Sequence, residues 1–479
     1  MSIVTEIGER ANQRAPGEAL SSSVQRAFVI LLLLYLSSCA QPQLIENSKL
    51  NEGRIPDTVK RASYASGLPV NHPLSVTLIN RTELHEIFQK RLALWKQSAV
   101  WVARQAGYRA MGFLPGEWQD VYEDAALLSR SAGGLYVPEK QTLYIVGEHA
   151  RSEAGGIYLN SLGDLGHQLT LTHEVIHALQ HQHYPESFEL SETVWQQQAD
   201  ASVALQAASE GDASFWAARS IGLLGRARDP EEVLAFSRDS KFEPLSDAPP
   251  LLRERMTFPY TYGYRFAYHE GKKGLMPPPA STEQIIHVKD GGRRPFLAID
   301  LSDFGSLLET KGCRIRFQDT MGELMLSLWL RSLHSTTDQN VWEGWDGDRW
   351  IAAECDNSRE VAWLTSWDTE QDAKEFESLF AVIATDFQRR ADLKSALASK
   401  RDGQEVIVAS GGLWPEIGDL RRLAKRARVT TRAELAAHFT KAKKAIDLSA
   451  QGPLTINEAV RTGAANSQMP GERTGASSR

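Results

Sequence analysis

The segment His173-Glu174-Val175-Ile176-His177 carries the chemistry most readily read from residue type and spacing. On a helix, residues i and i+4 lie about 6 Å apart along the axis and on nearly one face. Two imidazoles placed that way can hold one Zn2+ at about 2.0–2.1 Å. A carboxylate next to the first of them can take a proton from a water as that water attacks a carbonyl. Zinc lowers the pKa of such a water from about 15.7 to about 7 and polarises the carbonyl. His173 and His177 are therefore candidate zinc ligands, and Glu174 is a candidate general base for hydrolysis.

A catalytic zinc needs a third protein ligand. His183 stands ten residues after His173, the spacing of the metzincin pattern HExxHxxGxxH. Gln180 occupies the position where that pattern needs a helix-breaking Gly. On an unbroken helix His183 lies about 15 Å beyond His173 and cannot share its ion; His181 fails for the same reason. Glu210, in Ser209-Glu210-Gly211-Asp212-Ala213, is expected at the end of the next helix. A carboxylate at a helix C-terminus faces the unfavourable end of the dipole, so metal binding would give it a purpose. Asp200 and Glu192 are rivals on the same predicted helix. A donor to the developing oxyanion would come from Tyr260, Tyr262 or His287, with Tyr260 preferred.

These residues need elements to hold them. Residues 168–183 read as a helix stopped by Pro185, and residues 192–209 as a second one ending near Gly211. Leu135–Val137 and Thr142–Val146 flank a turn led by Pro138 and read as a hairpin. Helices are expected over 82–108 and 117–131, and more follow to about 290, with Ser281 as an N-cap. After Leu301 the composition changes. A helix over 319–334, strands at 349–353 and 360–366, a helix over 368–390 and a strand at 405–409 form a small α+β unit. The Trp345-Asp346-Gly347-Asp348-Arg349 segment reads as a capping turn rather than a calcium loop. Trp363 and Trp367 read as core.

The N-terminus carries an address. Ala27–Leu36 is an apolar run of signal-peptide length, too short to span a bilayer. It ends in Leu36-Ser37-Ser38-Cys39, which resembles a bacterial lipobox, so Cys39 is the expected lipidation site. The polar stretch before Arg26 is long for a signal peptide, and Val24 is a candidate start. Ala40 rather than Asp after Cys39 directs a Gram-negative lipoprotein to the outer membrane, facing the periplasm. A disulfide between Cys313 and Cys355 is permitted in an exported protein. The 479 residues carry a net charge of −7 without long like-charge runs, which argues against a nucleic-acid partner. The run Arg421–Arg428 reads as a solvated helix face.

The chain resembles the gluzincin-type zinc metallopeptidases. More closely, it is similar to a group of bacterial secreted or lipid-anchored proteins. The likeness rests on His173-Glu174-x-x-His177-Ala178-Leu179-Gln180-x-Gln182-His183 and on Glu210-Gly211-Asp212-Ala213. It extends to Gly134-Leu135-Tyr136-x-Pro138, Phe258-Pro259-Tyr260-x-x-Gly263, Ser281-Thr282-Glu283-Gln284 and Gly344-Trp345-Asp346-Gly347-Asp348-Arg349. It covers roughly residues 80–390. It departs at Ser209, where an aliphatic residue usually precedes the Glu. It implies zinc held by His173, His177 and Glu210, with Glu174 as base and a peptide or protein as substrate. The expected fold is α+β and predominantly helical. It comprises a signal peptide over 1–39, a flexible tether over 40–74, a zincin-like domain with an edge hairpin over 75–300, a small α+β domain over 301–447 and a disordered tail over 448–479. Other chemistries fit the same residues: a scaffold lipoprotein with a structural or silent metal site, and a zinc amidase acting on a cell-wall or other non-peptide amide.

Overall fold

The computed structural model describes residues 43–113, 125–147, 163–185, 197–222, 230–231, 250–273, 275–290, 293–334 and 340–441. The signal peptide, Cys39, Glu192 and the 448–479 tail lie outside these residues. Of the described residues 57% are helical and 21% lie in strands, so the fold is α+β with helix predominating.

The chain enters through a small hairpin, β1 (Ile45–Glu46) and β2 (Lys49–Leu50), and then α1 (Ile55–Ser66). Pro56 in its first turn and left-handed Gly67 after its last residue bound this helix. Leu44 and Ala62 are fully buried. The expected tether over 40–74 is thus corrected for the described residues: apolar side chains there join a core, which a polar spacer cannot do. Next come β3 (Ser75–Ile79), α2 (Arg81–Lys96), α3 (Ala99–Ala110) and α4 (Ala125–Ser131). The helix expected over 82–108 is two helices, because the Ser98 hydroxyl accepts the Trp101 N–H and starts a new one. Strands β4 (Gly134–Val137) and β5 (Thr142–Val146) form the expected antiparallel hairpin. Strand β3, not foreseen from sequence, adds to β5 in parallel, so β4 is an edge strand in the order β3-β5-β4.

Helices α5 (Asp164–His183), α6 (Ala199–Ser220), α7 (Pro250–Glu270) and α8 (Thr282–Ile286) follow. The Ser281 hydroxyl caps α8 as expected. The remainder is β6 (Phe296–Asp300), α9 (Ser302–Thr310), β7 (Arg314–Asp319), α10 (Gly322–Leu333), β8 (Trp345–Cys355), β9 (Ser358–Trp367), α11 (Glu370–Ala391), β10 (Leu397–Asp402), β11 (Glu405–Ser410), α12 (Ile417–Leu423), β12 (Lys425–Val429) and α13 (Arg432–Lys441). Five strands make an antiparallel sheet in the order β10-β11-β9-β8-β7. The β8–β9 turn is Asp356-Asn357, both at positive φ, the two-residue turn whose twist suits a hairpin. Helix α11 lays Phe376 and Phe387 against Trp363, Trp367 and Trp329, so both tryptophans are core, as read.

The expected division at residue 300 is corrected. Strand β6 pairs with β12 across it. The Trp329 indole donates to the Met111 carbonyl, and a side chain at Gly107 would strike Phe317. One apolar core therefore runs through both halves. The Arg421–Arg428 run is also not one helix face. It spans α12 and β12, and Arg421 and Arg426 both pair with Glu405. Among the described residues no helix is long and apolar enough to cross a membrane.

Cys313 and Cys355 form a disulfide. They extend the β7–β8 ladder by one pair beyond Arg314 and Glu354. The closed loop spans 42 residues of sequence, which in the chain-entropy account is worth about 2–4 kcal/mol. Replacing both cysteines by Ser is expected to lower the melting temperature by several degrees, and reductant to do the same to the wild type alone. Equal melting of all forms would contradict a bridge in solution.

Candidate metal centre

Helix α5 buries Leu171, Val175, Ile176, Ala178 and Leu179 on one side. They pack against Leu143 and Ile145 of β5 and against Ala213, Phe215 and Ala217 of α6. Its start is tied down by Asp164, whose carboxylate accepts the Leu44 N–H and the Gln168 amide. The flank of α5 beside Glu210 presents His173 and His177 to α6. Helix α6 does not end near Gly211, as expected, but runs on to Ser220. Glu210 is therefore mid-helix, and the dipole argument for it falls away. Gly211 is there for another reason. Its missing side chain would sit 2.0 Å from the Gly263 backbone of α7, and one at Gly263 would sit 2.1 Å from the Ala207 carbonyl. The two helices cross backbone to backbone one residue from Glu210.

Three side chains meet. His173 Nε2 and His177 Nε2 are 3.0 Å apart, and Glu210 Oε2 lies 3.1 Å and 3.3 Å from them. Ligands at about 2.0–2.1 Å around a tetrahedral zinc stand about 3.3–3.4 Å from one another, so the triangle is close to one face of such a site. Among the described residues this is the only group of three or more His, Cys, Asp or Glu residues that meets as a ligand set. The side chains are 18%, 12% and 20% exposed for His173, His177 and Glu210, which leaves an approach from solvent.

The charges are coupled. Burial works against a charge on His177, but Glu210 outweighs it and holds that imidazole's pKa up to about 9. Burial also opposes charge on Glu210, and the two imidazoles overcome it, keeping its carboxyl well below the usual range. Glu174 is buried. Burial raises its pKa, the imidazoles pull it back, Glu210 adds to the rise, and the Tyr136 backbone N–H bonds to its carboxylate. That N–H is available because Val146 donates to the Gly133 carbonyl. The alternation of an antiparallel ladder then turns Tyr136 away from β5. Gly134 completes the fit, since a side chain there would lie 2.9 Å from the Glu174 stem.

The other sequence candidates fall elsewhere. His181 Nδ1 bonds the Tyr136 hydroxyl at 2.9 Å, and His183 meets the Pro69 carbonyl at 2.7 Å; unbroken α5 carries both past the cluster. Asp200 is ten residues before Glu210 on α6 and accepts from Thr282. Tyr262 stacks on Phe258, and His287 pairs with Glu323. Tyr260 lies on α7 one turn before the Gly263 crossing, with 48% of its surface exposed; the three-residue cluster forms without it. The residues sequence reasoning missed are Gln180 and Asp212, whose amide and carboxylate join α5 to α6 at 2.8 Å. The signal was present in the two motifs, but their pairing needs the three-dimensional packing of the helices.

A family model described as a domain of unknown function (DUF8575) matches residues 313–424. That stretch holds the five-stranded sheet and the disulfide, and none of His173, His177 and Glu210. No curated protein and no solved structure matches the chain.

Two expectations follow. Zinc requires neutral imidazole, and metal-free His177 keeps its proton up to about pH 9. Zinc uptake should then release a proton, and apparent affinity should fall about tenfold per pH unit below that value. Zinc titrations at two pH values check this; a pH-independent affinity would contradict it. Gly263→Ala, on a helix without a ligand, should force α6 and α7 apart, lower the melting temperature by several degrees and weaken zinc binding. A variant that melts like wild type would show that the crossing is looser than described.

Proposed function

We propose that the protein is a zinc-dependent metallopeptidase of the gluzincin kind, exported and anchored to the cell envelope by lipid on Cys39. The observation that carries the reading is the triangle of His173, His177 and Glu210 with the buried Glu174 carboxylate beside it. A structural zinc is closed by four protein ligands, whereas a catalytic one keeps a position open. Among the described residues three side chains meet here, and two rivals are committed, His181 to Tyr136 and Asp200 to Thr282. The disulfide supports an oxidising compartment.

Bound at this triangle, zinc would act as a Lewis acid and make water acidic enough to attack a carbonyl near neutral pH. His173, His177 and Glu210 would hold it. Glu174 is buried but hydrogen-bonded, a setting that suits a carboxylate taking up a proton and delivering it to the leaving amine. Strand β4 is the edge of its sheet, and its outward Tyr136 N–H is bonded to Glu174, so an extended peptide could lie along it beside Glu174 without pairing to that N–H. Tyr260 is the proposed donor to the oxyanion, from α7.

The test is metal content and peptide hydrolysis on the soluble chain starting at Gln41. Glu174→Gln should keep about one zinc and lose activity by about 100-fold or more. Glu210→Ala should lose the metal. A peptide library beside cell-wall fragments separates a peptidase from an amidase. Wild type without zinc after reconstitution would overturn the enzyme reading.

A further inference from the structure

The Gln180 side chain is buried in the α5–α6 contact, with the residue 1% exposed. Its Oε1 lies 2.9 Å from His177 Nδ1 and accepts the Ser209 hydroxyl at 2.9 Å. Its Nε2 donates to the Ser209 carbonyl at 3.1 Å and to Asp212 Oδ2 at 2.8 Å. The other Asp212 oxygen accepts the Trp216 indole N–H at 2.7 Å.

We infer that Gln180 is a positioning residue for the metal centre: it fixes the ring orientation and tautomer of His177, and Asp212 fixes Gln180. The inference rests on the metal reading above and adds residues to it. The argument runs through donors and acceptors. An indole N–H can only donate, so Asp212 must accept. A carboxylate and a backbone carbonyl both accept, so the end of the Gln180 amide facing them must be NH2. A flipped amide would set oxygen against two acceptor oxygens in a buried contact. The amide oxygen therefore faces His177, and Nδ1 must carry the proton. The lone pair of the neutral ring then sits on Nε2, the atom that faces His173 and Glu210. Outer hydrogen bonds of this kind set which nitrogen of a ligand histidine meets a metal. Among the described residues, His173 Nδ1 has a looser contact, with Ser214 Oγ at 3.5 Å. The same side chain explains why Gln and Asp stand where they do in the two motifs. A carboxylate at 180 would face Asp212, and an aliphatic residue would leave the buried His177 N–H and one buried oxygen of Asp212 without their present partner.

The experiment measures zinc affinity by chelator competition, together with the visible spectrum of the cobalt(II)-substituted chain and melting of the metal-free chain. Gln180→Met is expected to bind zinc about 10- to 100-fold more weakly and to change the cobalt spectrum, with ring orientation no longer held. Gln180→Glu alone should also weaken binding. The pair Q180E/D212N restores a donor–acceptor contact between 180 and 212 while the residue 212 oxygen still takes the indole N–H, but it leaves a carboxylate oxygen against the Ser209 carbonyl; it should recover part of the affinity lost in Q180E. A folded Gln180→Met with wild-type affinity and spectrum overturns the inference and leaves the metal reading standing. Should that variant fail to fold, Q180E/D212N binding no more tightly than Q180E overturns it as well. Wild type that takes up no zinc overturns the metal reading and this inference together.

Discussion

A carboxylate and two imidazole nitrogens within 3.3 Å of one another form a cluster that is stable only when positive charge is shared among them. In the metal-free chain a proton does this, at the cost of burying the charged groups; a divalent cation would do it with better geometry. The surrounding structure is arranged to keep the three atoms from relaxing apart. Helix α5 is wedged by apolar residues between the small sheet and α6, and α6 is pressed against α7 where Gly211 meets Gly263. The Glu210 backbone cannot shift without moving a helix that is already in contact with another.

The start of α6 is held just as firmly. Asp319 accepts the Ala199 N–H at 2.8 Å, and Arg349 donates to the Gln197 carbonyl at 2.6 Å. Asp200 faces Gly322, whose left-handed backbone and bare Cα leave room for its carboxylate. Asp348 then receives the Met321 and Gly322 N–H groups and the indole N–H groups of Trp345 and Trp363. The Trp345–Arg349 segment is the start of strand β8 and not the turn read from its sequence; through Asp348 it anchors the start of α10. Burial raises the pKa of Asp348, and its four donors pull against that rise.

What was legible in the sequence was local. The His173/His177 spacing, the β4–β5 hairpin and the Ser281 cap each depend on residues close together in the chain, and each has a mechanism that a short window contains. What was not legible depends on partners far away. Gly211 looked like a helix terminator because Gly usually weakens helices, yet it is required by a backbone more than fifty positions downstream. Strand β3 pairs in parallel with a strand reached only after three helices. Residues 43–74 looked like a spacer because they are polar on average, although Leu44 and Ala62 bury completely. The single helix expected over 82–108 ignored Ser98, whose hydroxyl makes a better start than a continuation.

The division of the chain also changes how residues 313–424 relate to the cluster of His173, His177 and Glu210. They contribute none of its side chains. They nonetheless supply Asp319 and Arg349, which bind the start of the helix carrying Glu210, and Gly322, which gives Asp200 its space. From that start to Glu210 the helix is an unbroken rod of about three turns, and a rod transmits the position of its end. The sheet is therefore a foundation for the position of Glu210 rather than an appended module. The same logic accounts for the buried charges at the junction, which would be costly if the two halves moved independently. Asp319 and Arg349 are each about 1% exposed, and opening the junction would strip them of Ala199 and Gln197, partners that water alone would have to replace.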